Sequence, residues 1–538
     1  MATAKSATAP TPDAAPSATA GPPLDTISGL LGGPRIDDLL RSTAGRAPDR
    51  LAIATADRGL TFAELDARAD GLAVALHAVV GSGTVVALAM VLDPSFAIAF
   101  NGIARSGNVS ALVNPLLREE GLLHVLRSSG ARVAIVPPDV HRRIEPLLGR
   151  LPELELLVLT HRNGDDAGPE RPGTLEELIG PGPHPAPPDV PHDEHAVACM
   201  PFTSGTTGAP KAVRLTHRNI TVNAAQTVHG HRLTESSVLF NYLPTFHLMH
   251  LNIGVLAGAT HVLHSGDDVA EAIEAAARFR ATHLYSLPMR LSRLAADPRL
   301  HRLEAPALQA VLSGGSALPP APAAVLSQHF GIPVVQGYGL AETSPVTHLS
   351  DLDLPRNGSS GRPVPGTECR IVDVATRAVV PFGARGEIQV RGPQLMLGYL
   401  GRDRSQDLDA DGWFATGDIG WCEPDGTLFV VDRIKDVFKC DNWLVSPTQI
   451  ERVLLRHPAV ADCAVVDVPD EHSGAVAHGL VVLRPGGFDP AALIEFVNSQ
   501  LPYYEHLRTV DQVADIPRSP TGKVLRQELR ERLRTGDR

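Results

Sequence analysis

The chain has 538 residues, 43% hydrophobic and 20% charged, with 48 basic against 60 acidic side chains and a formal charge of −12. Its length calls for roughly two to four domains, and its acidic balance excludes nucleic acid or an anionic membrane surface as the main partner. Only Lys5, Lys211, Lys435, Lys439 and Lys523 are lysine, and the other 43 basic residues are arginine. Where arginine fills almost every cationic position, each remaining lysine is a candidate for work that needs a compact ammonium on a flexible stem.

Residues 1–35 open with an Ala/Thr/Pro/Ser run around Lys5 that lacks the apolar block of a secretory signal, and are expected to form a disordered tail. The apolar stretch Gly71 to Ala104 is interrupted by His77, Gly81, Gly83 and Asp93, too often for a membrane span. It reads as a helix, the strand Val85 to Leu92, and a second helix. A helix near Arg118 to Gly130 and a strand Arg132 to Val136 follow, so α/β architecture is expected from about Ile36. Residues 161–195 are rich in Pro, Gly, Asp and His and read as an exposed connection. A second α/β stretch carries strands at Val238 to Tyr242, His283 to Leu287, Ala310 to Leu312 and Val334 to Val335. After Gly361, short strands at Cys369 to Val372, Gly386 to Arg391 and Leu428 to Val431 predict a β subdomain. The expected division is a tail over 1–35, a large N-terminal domain of two α/β subdomains and a β subdomain over 36–432, and a small α+β C-terminal domain over 433–538. Cys199, Cys369, Cys422, Cys440 and Cys463 are widely spaced without a C-x-x-C pair, which argues against a zinc site or disulfide framework and fits a reducing cytoplasm.

Residues 203–211 read T-S-G-T-T-G-A-P-K after a strand-like run from Ala196 to Phe202. Thr203, Ser204, Thr206 and Thr207 offer hydroxyls, Gly205 and Gly208 permit close backbone approach, and Lys211 adds a positive charge. Together these suit a polyphosphate, in a loop that is not the Walker sequence. There follow, in order, L-P-T-F-H (Leu243 to His247), S-G-G-S-A-L (Ser313 to Leu318), Q-G-Y-G-L-A-E-T (Gln336 to Thr343), G-E-I-Q-V-R-G (Gly386 to Gly392), W-F-A-T-G-D (Trp413 to Asp418), D-R-I-K-D (Asp432 to Asp436) and P-R-S-P-T-G-K (Pro517 to Lys523). By these landmarks the chain, from about Ala47 to Arg534, resembles the acyl-adenylate-forming superfamily of acyl-CoA synthetases, adenylation domains and luciferases.

That resemblance implies an enzyme using ATP, Mg²⁺ and CoA. It places Tyr338, between Gly337 and Gly339, on adenine and the backbone of Gly314, Gly315 and Ser316 at the base edge. Asp418 resembles the ribose-binding carboxylate, Arg433 its companion, and Glu342 the Mg²⁺ ligand, a hard oxygen donor suited to a cation that bridges phosphates. Lys523 resembles the residue inserted between the carboxylate and the α-phosphate, Lys435 marks a domain hinge, and Lys439 lies in the segment that approaches the site for the second half-reaction. His247 joins the catalytic set. His247, Met249, His250 and Asn252, with Gly314 and Gly339, resemble the acid pocket.

The sequence also departs from its relatives. Ala341 replaces a Thr before Glu342, Asn442 stands where Gly is usual, Glu505 stands where a basic residue is common, and the segment between His247 and Ala257 is short. These features point away from a long acyl chain and toward a small or aromatic, partly polar acid. The resemblance leaves a carrier-protein thiol, an amine, or nitrite activation for diazotisation of an arylamine beside CoA transfer. A nucleotide-binding pseudoenzyme is the non-catalytic alternative, and the presence of Glu342, Asp418, Arg433 and Lys523 counts against it.

Overall fold

The computed structural model describes residues 18–162, 172–203, 210–441, 443–486, 489–518 and 524–535. Among them, four sheets form. The largest has nine strands, in the spatial order Arg362–Pro363, Val346–Leu349, Val334–Gly339, Ala310–Ser313, His283–Ser286, Val238–Tyr242, Thr260–Leu263, Leu51–Ala54 and Gly59–Thr61. Its six strands from Val334–Gly339 to Leu51–Ala54 run parallel. Crossover helices, including Leu248–Ala257, Val269–Arg278 and Pro288–Ala296, join several of them.

A seven-stranded sheet has the parallel strands Val85–Ala89, Val109–Val113, Val133–Val136, Leu156–Leu159 and Val197–Thr203. Strand Lys211–Thr216 adds antiparallel to Val197–Thr203, and Gly398–Tyr399 pairs with it in turn. One apolar core contains Leu88 and Leu112 from this sheet and Leu239 and Leu312 from the other. Helix Pro94–Arg105 is buried along its whole length, and helix His217–His231 over most of it. The strand expected to reach Leu92 stops at Ala89, because Asp93 already caps the next helix by accepting from the Ser95 amide at 2.9 Å.

The β subdomain is a five-stranded antiparallel sheet of Ala18–Ala20, Glu368–Val372, Gly386–Arg391, Phe414–Cys422 and Leu428–Arg433. The expectation of a disordered tail therefore needs correction over residues 18–35. Ala18–Ala20 is an edge strand with Thr19 opposite Cys369, a 3₁₀ helix covers Leu24–Leu30, and Ile27 is fully buried. The local composition is poor in apolar residues, but a distant strand satisfies the backbone. The connection 161–195 likewise contains a short helix, Leu175–Ile179, which Thr174 caps and whose Leu175 and Ile179 are buried.

From Phe438 onward the chain builds a separate sheet of Phe438–Cys440, Trp443–Val445, Val460–Asp470, Gly474–Leu483 and Leu507–Gln512, with its own apolar core. The five cysteines are buried and free; Cys369 and Cys422, distant in sequence, bring their sulfurs to 4.0 Å.

Candidate active site

The candidate residues gather where the parallel strands of the nine-stranded sheet end, the usual ligand position in open α/β sheets. Thr203 and Lys211 are register partners at the ends of two antiparallel strands. Ser204 to Gly208, expected to cradle phosphate, lie outside the described residues. The Lys211 ammonium sits 5.2 Å from the centre of the Tyr399 ring. The Tyr399 hydroxyl donates to Glu342 Oε1 at 2.6 Å, and Tyr399 is placed by the pairing of Gly398–Tyr399 with Lys211–Thr216. Glu342 is buried, and desolvation raises its carboxyl above the usual range despite the Tyr399 bond. A buried carboxylate held by one neutral donor suits a hard divalent cation. Tyr399 went unnoticed in the sequence because its role depends on a strand pairing almost two hundred residues apart in the chain.

A second group lies beside it. Tyr338 is the penultimate residue of strand Val334–Gly339 and donates its hydroxyl to Asp418 Oδ2 at 2.7 Å, while Arg433 Nε lies 3.6 Å from Asp418 Oδ1. Asp418 and Arg433 are partners across adjacent strands, so backbone pairing fixes their separation. Burial and the Asp418 charge push the Tyr338 phenol up, keeping it a neutral donor. At Gly339 a Cβ would meet the Pro345 carbonyl oxygen at 2.0 Å, so glycine lets the chain fold back there. A Cβ at Gly314 would meet nothing within 4 Å, and Gly315 has φ +85°. The turn Gly314 to Ser316 thus presents bare backbone to open space beside these side chains.

His247 caps helix Leu248–Ala257, its Nδ1 accepting from the Met249 amide at 3.2 Å. That bond leaves the proton on Nε2, a donor for an anion. Burial lowers its pKa to about 4, so the ring is neutral near pH 7. His250 follows one turn later, with ring centres 6.1 Å apart. Met249 is half-buried against the main core. Asn252 is buried, and its amide donates to the Leu248 carbonyl at 2.8 Å within its own helix. Tyr285 and His231, which no motif marks, pack beside His250: the His250 ring meets Tyr285 edge-on at 4.8 Å, and the Tyr285 hydroxyl lies 3.1 Å from His231 Nδ1.

Lys435 is exposed in a turn just after strand Leu428–Arg433. Asp432, at the end of that strand, accepts at Oδ2 from Ser446 Oγ and the Thr448 amide, both at 3.0 Å. Lys439 is exposed on strand Phe438–Cys440 and acts electrostatically on Asp373 of the β subdomain. Asn442 and Lys523 lie outside the described residues; Arg518 and Val524, flanking the latter, pair as an antiparallel bridge. Glu505, fully buried, faces Arg385 of the β subdomain at 3.3 Å, and Arg385 also donates to Gln449 at 2.7 Å.

The profile of the AMP-binding enzyme family matches residues 40–400, and that of the AMP-binding enzyme C-terminal domain matches 449–523. The chain belongs to the AMP-binding enzyme family. It is an AMP-forming acid ligase of the acyl-CoA synthetase type. The enzyme is 33% identical to 4-coumarate–CoA ligase 3 of Arabidopsis thaliana over 472 residues, covering 84% of this chain and 82% of the relative. It is 30% identical to 4-coumarate–CoA ligase 2 of Solanum tuberosum over 495 residues, 88% of this chain and 89% of the relative. Among solved structures, an anthranilate CoA ligase in complex with anthranoyl-AMP superposes with TM-score 0.84 at 26% identity, over 93% of this chain and 98% of that one. A benzoate CoA ligase from Burkholderia xenovorans LB400 superposes with TM-score 0.81 at 25% identity, over 92% of this chain and 99% of that one. Among the described residues of the enzyme no helix is long and apolar enough to cross a membrane.

Proposed function

We propose that the enzyme adenylates an aromatic carboxylic acid with ATP and passes the acyl group to CoA. The observation that carries this reading is the meeting of two contact chains at the strand ends, Tyr338 to Asp418 to Arg433 and Lys211 to Tyr399 to Glu342, beside the histidine-bearing helix. The similar ligases are named for coumarate, anthranilate and benzoate, all aromatic acids. The short segment after His247, with His250 on its helix, suits such an acid better than a long alkyl chain.

In the first step a carboxylate oxygen attacks the α-phosphorus. The new O–P bond forms as the α–β anhydride bond breaks and pyrophosphate leaves with the electron pair. In the second step the CoA sulfur, having lost its proton to solvent, bonds to the acyl carbon and AMP departs. Adenine stacks on Tyr338 over the Gly314 to Ser316 turn. The ribose hydroxyls take Asp418 as acceptor, replacing or sharing the Tyr338 bond, and Arg433 faces the phosphates. Ser204 to Gly208 and Lys211 hold the outer phosphates. Glu342 would hold Mg²⁺, which supplies neutralising charge to the phosphate oxygens. His247 donates from Nε2 toward the acid's carboxylate. Lys523 bridges the carboxylate and α-phosphate as a point charge, a task the broad guanidinium fork would serve badly. Residues 36–432 act as the adenylating unit, and 433–538 turn about Lys435 to bring Lys439 and Asn442 forward for transfer.

Pyrophosphate release over a panel of acids plus nitrite, with and without CoA, tests the reading. Aromatic acids should release pyrophosphate, and CoA should convert the adenylate to thioester. Turnover confined to nitrite with an arylamine, or silence on every acid, would overturn it.

A further inference from the structure

Glu342 and Lys211 share one neighbour, Tyr399, and the chain around it holds that side chain in place. Met396 donates its amide to the Glu342 carbonyl at 2.9 Å, and Leu397 and Leu400 donate theirs to the Arg214 and Ala212 carbonyls, also at 2.9 Å. Residues 396–400 thus lie as a strut between the turn Ala341–Thr343 that carries Glu342 and the strand that begins at Lys211. Behind the strut the buried Asp407 carboxylate accepts from the Tyr399 amide at 3.1 Å and pairs with Arg402 at 3.2 Å. The Arg402 guanidinium in turn lies 5.7 Å from the centre of the Tyr399 ring. The residues on either side of Glu342 offer it no donor. Ala341 carries no hydroxyl, and Thr343 donates to the Leu340 carbonyl at 3.0 Å. Among the described residues the Tyr399 hydroxyl, at 2.6 Å, is the side-chain donor to this buried carboxylate.

We infer that Tyr399 is a positioning residue for adenylation, one side chain serving both holds on the triphosphate: its hydroxyl orients Glu342 for the metal, and its ring steadies Lys211 for the outer phosphates. The inference rests on the adenylation reading above. A carboxylate that meets a cation has to be aimed, and a donor on Oε1 fixes its plane while leaving the other oxygen for the ion. A cationic donor in that place would oppose the charge of the ion, whereas a phenol does not. The same reasoning applies to the lysine. The ring takes the Lys211 ammonium at 5.2 Å without neutralising it, whereas a carboxylate there would cancel the charge that the phosphates need. AMP lacks both outer phosphates, so Tyr399 should bear on ATP and its metal and leave AMP alone.

The test uses the full-length enzyme and an ATP analogue with methylene in place of the α–β bridging oxygen, so that binding is read without turnover. Metal affinity is followed through free Mn²⁺ by electron paramagnetic resonance, and nucleotide affinity by equilibrium dialysis. Tyr399→Phe should weaken Mn²⁺ in the analogue complex by about ten-fold or more, while the metal-free analogue and AMP bind as they do to the wild type. Tyr399→Leu, which also removes the ring, should weaken the metal-free analogue several-fold and still spare AMP. If the leucine variant does not fold, the phenylalanine variant decides the matter through Mn²⁺ against AMP. Wild-type Mn²⁺ affinity in Tyr399→Phe would overturn the inference. So would a joint fall in Mn²⁺ affinity, AMP affinity and melting temperature, the mark of a merely structural tie. Either result leaves the adenylation reading standing. Absence of wild-type pyrophosphate release with every acid would instead remove that reading and the inference with it, whatever the binding shows.

Discussion

The side chains proposed to bind the nucleotide and the C-terminal domain are held in opposite ways. Asp418 and Arg433 are fixed by register across adjacent strands, Tyr338 is paired antiparallel with His348, and Glu342 is anchored through Tyr399 to the strand that begins at Lys211. Each of these groups sits on an element packed into a large core. The C-terminal domain has its own core, and the side-chain bonds tying it to the rest include Arg385 to Glu505 and Gln449, and Asp432 to Ser446. The contrast separates two tasks: binding and orientation belong to a rigid frame, whereas a reaction in two steps needs a part that can leave one arrangement for another.

The largest test of this contrast is Lys523→Ala. Removing a charge that acts on the developing transition state should cut pyrophosphate exchange by roughly 10²-fold or more, while equilibrium dialysis still finds ATP and acid bound. Exchange near the wild-type rate would mean that the frame alone suffices. Next is Asp418→Ala, which removes the carboxylate that accepts from the Tyr338 hydroxyl. A buried group stranded in this way costs about 1–3 kcal/mol, so the KM for ATP should rise and the melting temperature should fall together. If ATP binding is unchanged, Asp418 does not serve the ribose.

Arg385→Ala probes the attachment. The present arrangement keeps Lys439 beside Asp373, so loosening it should slow adenylation several-fold while transfer from preformed acyl-adenylate to CoA falls less. Equal losses in both steps would argue against Arg385 as a latch. Lys435→Pro should give the converse pattern, sparing adenylation and slowing transfer.

The smallest effect at neutral pH lies in the frame itself. His231 and His348 are lowered to about 3, and His247, His261 and His283 to about 4, chiefly by burial. Their folded values lie below the unfolded value of about 6.5, so the unfolded chain binds more protons in between. The stability they contribute is complete above about pH 6.5 and is lost as pH falls toward 4, at up to about 1.4 kcal/mol per pH unit for each ring. Thermal melts from pH 7.5 to 5 should fall steadily, and His348→Gln should flatten the slope. A flat profile would mean that these rings are not held neutral.

Much of this was legible in the sequence where local pattern and chemistry coincide. Strands Val238–Tyr242 and Gly386–Arg391 fall where their apolar runs predict, and the ordered motifs bring Tyr338, Asp418 and Arg433 together. Contacts created only by tertiary pairing were not legible. Tyr399 reaches Glu342 through strand addition, while His231 and Tyr285 meet from a helix end and a strand with no shared motif.

The edge strand Ala18–Ala20 bears on how the chain is made. Thr19 lies opposite Cys369 and donates to its carbonyl across a separation of 350 residues. At a synthesis rate of about 5–20 residues per second, that partner leaves the ribosome roughly 20 to 70 seconds after the strand does. A strand made early is thus among the last of its sheet to find its place, and the β subdomain sheet stays open at one edge until the two ends of the large domain are joined.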